Sequence, residues 1–391
     1  MTGKKVYFVF LTIFMIGSIL FLPPSKSSAN SGETIPIEIV KQVIEADIKS
    51  FTPDHEFFGI WDHVNIIHSA DLYDIHDNIM GYYFLLQDNQ KNVGYYITGA
   101  RYDITPILEY SNAPFKDNLK AQHEGKKIYY FGGENQAFAY NAKELTDQVE
   151  TEIKKYNEKL SLNKSSSESA LDLTTVLNDL EMNQDENSQI LWKQYLTSGD
   201  NSLMAYPTSY YLNVPHIYQY QTGINHDDSA CGPSSLAMAI QYLSSIGLSV
   251  HDKTYFDNSE VDMVNGFYNF LGTSIFGTTA GNMSYLTSQL LNMHMNGWQA
   301  TSIDADDSGS IASFQDRVVS SRPPLVMWDT LGIFPWLDPD VTWHWQTGTG
   351  YRTTNGVFEF GVKDPSSSSS ATKYYSWTAN DNGFLFVSYK Q

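Results

Sequence analysis

The sequence predicts an α+β fold in two parts behind a removable N-terminal segment. Three observations carry this. A helical stripe followed by short aromatic strands fills residues 30–141, helical patterns precede a run of strands in residues 206–391, and an apolar stretch with a basic start occupies residues 1–29. Helices first and an antiparallel sheet second is an α+β layout. At 391 residues with one cysteine, the chain is long enough to bury ordinary cores without disulfide staples.

Residues 1–29 read as a secretory signal peptide. Lys4 and Lys5 form the basic start, Val6 to Leu22 is apolar, and Ser27-Ser28-Ala29 supplies small residues at the expected cleavage site. No later segment is long and apolar enough to span a bilayer, so no stable membrane insertion is expected once the signal is removed. In residues 30–141, Ile37, Val40, Ile44 and Ile48 recur at helical spacing. Gly81–Leu86 and Val93–Thr98 read as two strands joined through Asp88–Asn92 in a hairpin. Ile107–Tyr110 and Ile128–Phe131 read as further strands.

Residues 142–205 read as a helical and flexible linker. Leu145, Val149, Ile153, Tyr156 and Leu160 form a helical stripe, Leu171–Leu180 and Ile190–Leu196 suit short helices, and Lys164–Ser169 and Thr197–Ser202 are polar breaks. In residues 206–391, helices are expected from Cys231 onward, around Asn282–Met295 and at Ile311–Ser321. Strands follow at Pro324–Trp328, Trp343–Gly350 and Val357–Val362, with Phe384–Tyr389 closing the sheet.

A formal net charge of -20 argues against nucleic acid or an anionic membrane surface as a partner. It suits an extracellular protein, free or associated with the cell wall. The 26 tyrosines suit β-rich structure.

Cys231 is the only cysteine, so it has no partner for an internal disulfide. Pro233 fits a first helical turn, and Leu236, Ile240 and Leu243 give one apolar face. Cys231 therefore sits at or just before a helix start, where N–H groups and the helix dipole stabilise a thiolate. A thiolate nucleophile needs a base, and histidine fits best near neutral pH. His216, His226, His251, His294 and His344 are the candidates in this zone. His344 stands out because Trp343–Gly348 alternates like a strand. Asp364 follows the next strand and would orient His344 and stabilise its imidazolium. An oxyanion hole needs the Cys231 N–H and a side-chain amide, from Gln219 or Gln221 upstream. His226-Asp227-Asp228 lacks the ligand spacing of a zinc or calcium site. Ser366–Ser370 reads as a flexible turn without chemistry, and no cofactor is expected.

Leu212-Asn213-Val214-Pro215, then Gln219, Cys231-Gly232-Pro233-Ser234-Ser235, His344 and Asp364-Pro365 resemble the papain-like peptidases related to the bacteriocin-leader-processing (double-glycine) cysteine peptidases. The resemblance covers residues 206–391. It implies a papain-like domain that cleaves peptide or protein substrates, with Cys231 as nucleophile, His344 as base, Asp364 as orienting acid and Gln219 as oxyanion donor. Two features depart from the family: a long stretch from Tyr220 to Ala230 between glutamine and cysteine, and a signal peptide in place of a fused transporter. Gly81–Phe84, Gly94–Ile97 and Pro106–Ser111 resemble the propeptide domain of streptopain-type peptidases. That likeness implies a zymogen whose own N-terminal domain, residues 30–141, acts as inhibitor until the linker is cut. The same thioester chemistry also serves cell-wall amidases and transamidases, and a non-catalytic module could keep the fold.

Overall fold

Thirteen strands join in one sheet among the described residues of the computed structural model. These residues are 34–113, 125–133, 136–162, 170–181, 188–197, 207–274, 277–328 and 344–391. The expected signal peptide and most of both polar breaks lie outside them, as does Trp343. Residues 34–391 form one compact unit. The strands are β1 (Asn65–Tyr73), β2 (Ile79–Asp88), β3 (Lys91–Gly99), β4 (Ile107–Ser111), β5 (Lys127–Tyr130), β6 (Gln136–Ala139) and β7 (Ser209–Tyr211). They continue with β8 (Gln299–Asp304), β9 (Leu325–Trp328), β10 (His344–Thr354), β11 (Val357–Lys363), β12 (Thr372–Ser376) and β13 (Phe384–Lys390). Their order is β6-β5-β1-β2-β3-β4-β12-β11-β10-β9-β13-β8, with β7 paired to β10.

The N-terminal half begins with the helix Ile37–Lys49, whose Val40, Ile44 and Ile48 are buried as their spacing predicts, whereas Ile37 is half-buried and Val43 is buried with them. β2 and β3 form the expected hairpin, but the strands run further, to a two-residue turn at Asn89 and Gln90. Both turn residues have positive φ (47° and 67°), the backbone that matches the twist of a tight hairpin. The middle zone is more than a linker. Helix Ala142–Leu162 buries Leu145, Val149 and Ile153 in a cluster with Tyr129 and Ala137. Helix Ser188–Thr197 buries Trp192 and Tyr195 in the same cluster as Val40 and Ile44.

In the C-terminal half, helix Cys231–Ser245 packs against β10, and Thr347 Oγ1 donates to the Ser235 carbonyl at 2.9 Å. Ala280–Asn292 and Ser310–Val319 are helices, as expected. Helix Glu260–Phe270, β8 and β12 had no clear sequence signal. β13 does not close the sheet as expected. It lies between β9 and β8, and β8 forms the edge. Phe384, Phe386 and Val387 are buried, which suits an inner strand with neighbours on both sides.

The two halves meet at one strand pair. β4 pairs antiparallel with β12, placing Ser111 opposite Lys373, Tyr110 opposite Tyr374 and Glu109 opposite Tyr375. Tyr110 stacks between Tyr96 and Tyr374, with ring centroids 5.0 Å apart on each side. Beneath the stack, Arg352 Nη2 donates to both oxygens of Asp47 at 2.7 and 2.9 Å, and Arg352 Nε donates to Glu359 at 2.7 Å. Asp47 belongs to the first helix, whereas Arg352 and Glu359 belong to β10 and β11.

Candidate active site

Cys231 is the first residue of its helix, with no acidic residue in the first turn to offset the dipole. The next residue must be small. A Cβ on Gly232 would lie 2.4 Å from Thr278 Oγ1. The Thr278 carbonyl also accepts from Trp345 Nε1 at 2.8 Å. The segment beside the cysteine is thus tied to β10, the strand that His344 opens.

His344 Nε2 lies 2.7 Å from Asp364 Oδ1. With Nε2 committed there, Nδ1 is the ring nitrogen that remains for the sulfur, and the His344 and Cys231 side chains share a hydrogen bond. The antiparallel pairing of β10 with β11 sets this up, since Thr347 opposite Lys363 brings the end of β11 back toward the start of β10. Burial opposes protonation of His344. The charge and hydrogen bond of Asp364, with a smaller contribution from Cys231, outweigh it and raise its pKa to about 10.

Burial would raise the Asp364 pKa, but the charge and hydrogen bond of His344 and two bonds from Ser366 hold it below the usual carboxylate range. Ser366 donates from its N–H at 2.9 Å and its Oγ at 2.8 Å, both to Oδ1. The serine run expected to carry no chemistry therefore orients the acid, because an aspartate at a turn binds the backbone two residues on. Lys373 Nζ donates to Asp364 Oδ2 at 3.3 Å. The sequence offers no signal for this contact, because it depends on β12 pairing beside β11.

Gln219 is fully buried, and its N–H donates to the Pro365 carbonyl at 2.8 Å. Its Nε2 donates to the Asp227 carbonyl at 2.8 Å, beside the turn that leads into Cys231. A carboxamide nitrogen carries two hydrogens, so a second donor remains. Gln221, the other candidate, is exposed. His216 Nε2 meets the Asp364 carbonyl at 2.9 Å and so braces the acid's backbone. His226 stacks on Tyr268, and His251 pairs with His294, so these histidines have partners other than Cys231 and Asp364. Among the described residues, no cluster of three or more His, Cys, Asp or Glu has the arrangement of a metal site.

Residues 211–390 match the model of the Peptidase_C39 like family. A search of curated proteins found no match to the chain.

Proposed function

We propose, from the match of residues 211–390 to the Peptidase_C39 like family model, that this chain is a secreted papain-like cysteine peptidase made as a zymogen, which hydrolyses peptide bonds through a Cys231–His344–Asp364 triad. The observation that carries this reading is His344 held between Asp364 and Cys231. Cys231 Sγ attacks the scissile carbonyl carbon, and the oxyanion takes hydrogen bonds from the Cys231 N–H and Gln219 Nε2. His344 gives its proton to the departing amine, leaving a thioester on Cys231. It then takes a proton from water, which attacks the thioester and releases the acid. Asp364 keeps the ring oriented and its cation stabilised throughout.

The zymogen part draws support from closure of the site. Cys231 is 1% exposed. Gly133 of the N-terminal half (φ 51°) packs so tightly on Trp328 that a Cβ there would lie 3.0 Å from the ring. Trp328 is the register partner of His344. On this reading, the N-terminal half braces the wall beside the base.

A peptidyl electrophile directed at thiols tests the proposal. Mass mapping is expected to find the adduct on Cys231, formed slowly in the full chain and faster once residues 160–206 are cut and the N-terminal fragment is removed. No adduct at neutral pH in either form would count against the nucleophile. Equal labelling rates in the two forms would count against the zymogen. Assays on denatured protein and on purified peptidoglycan separate a peptidase from a cell-wall amidase.

A further inference from the structure

The orienting carboxylate has two oxygens facing two cations. Asp364 Oδ1 takes His344 and Ser366, while Oδ2 faces Lys373 Nζ at 3.3 Å. Lys373 is largely buried, its side chain 12% exposed. Its strand, β12, carries it to the joint between the halves, where it lies opposite Ser111 of β4. Two residues away on β4 is Glu109, 2% exposed, which accepts from Tyr130 at 2.9 Å and from Tyr95. Lys373 acts on this carboxylate too. Burial drives the Glu109 pKa up to about 7, opposed by the charge of Lys373 and by the two tyrosine bonds. One ammonium is therefore paired with the buried Asp364 and also acts by its charge on the buried Glu109, one carboxylate from each half of the chain.

We infer that Lys373 is a positioning residue for the triad, holding Asp364 Oδ2 and, through its sharing with Glu109, making the N-terminal half part of the electrostatic setting of His344. The inference rests on the triad reading above. The charges around Asp364 fix the sign of each effect. His344 comes from β10, Cys231 from the helix start, and Lys373 and Tyr375 from β12. Glu109, Tyr95 and Tyr130 form the outer group, and the His216 ring meets the Asp364 carbonyl. Lys373 competes with the imidazolium for Asp364, so removing its charge strengthens proton binding by His344. Removing the Glu109 carboxylate leaves Lys373 less compensated and weakens it.

The test is the His344 ring titration in the full chain, followed by NMR on histidine-labelled protein and assigned with His344→Gln. Lys373→Met is expected to raise the midpoint by roughly half to one pH unit, Glu109→Gln to lower it by a similar amount, and Lys373→Arg to restore the wild-type value. A role confined to packing would not produce opposite shifts in two variants rescued by charge alone. Coincident titrations of wild type and Glu109→Gln, or of wild type and Lys373→Met, overturn the inference. If Lys373→Met does not fold, Glu109→Gln and Lys373→Arg still decide it. The readout needs no turnover. Failure of the triad reading would appear separately, as peptide hydrolysis surviving in Cys231→Ser.

Discussion

At the scale of residues, the site is governed by the pairing of His344 with Asp364. A histidine raised from 6.5 to about 10 binds a proton in the folded state that the unfolded chain releases. Its contribution to stability is complete below about pH 6.5 and is lost as pH rises through about 10. Asp364, lowered from 3.8, contributes above that value and loses its contribution as pH falls below it. Asp364→Asn is therefore expected to cost most stability between those limits and less as pH approaches 10. It is also expected to move the alkaline limit of activity down, as read by urea midpoints and rate against pH. An unmoved alkaline limit would mean that Asp364 does not hold the imidazolium. The helix start at Cys231 and the strand opened by His344 were legible in the sequence, because the Cys-Gly-Pro run marks the one and the alternation from His344 marks the other. Lys373 and Ser366 were not, since one acquires its meaning from a cross-strand neighbour and the other from a turn.

At the scale of elements, the joint between β4 and β12 combines stacked rings with a buried ion network. Each stacked aromatic pair adds about 0.5–1.5 kcal/mol beyond its area. The network is stronger in the negative sense, because removing one partner strands the others. Arg352→Met leaves the Asp47 and Glu359 carboxylates buried without their cation, and is expected to destabilise the chain by roughly 3–5 kcal/mol. Denaturant unfolding reads this, and a loss within experimental scatter would show that the network carries no weight. Elements with clean periodicity, such as Ile37–Lys49 and β2–β3, were readable from sequence. β1 was not, because His68, Ser69 and Asp71 interrupt its apolar run and its pattern fits neither period. Helix Glu260–Phe270 carries Gly266 in its interior, which weakens a helical signal.

At the scale of the molecule, the sheet runs through both halves without a break in pairing among the described strands. Nothing in the composition marks this joint, because a strand such as Thr372–Ser376 shows its partner only in the fold. The consequence concerns processing. A cut within residues 160–206 leaves β4–β12 and the Arg352 network in place, so the two fragments are expected to elute together on gel filtration and to separate only in denaturant. Separate elution under native conditions would show that the joint is weak. The central claim is that one sulfur, paired with His344, breaks peptide bonds. Its most direct measurement is hydrolysis of a denatured protein by the processed wild type beside processed Cys231→Ser. The account predicts a loss of roughly a thousand-fold or more with the fold retained by circular dichroism, and hydrolysis at the wild-type rate would contradict it.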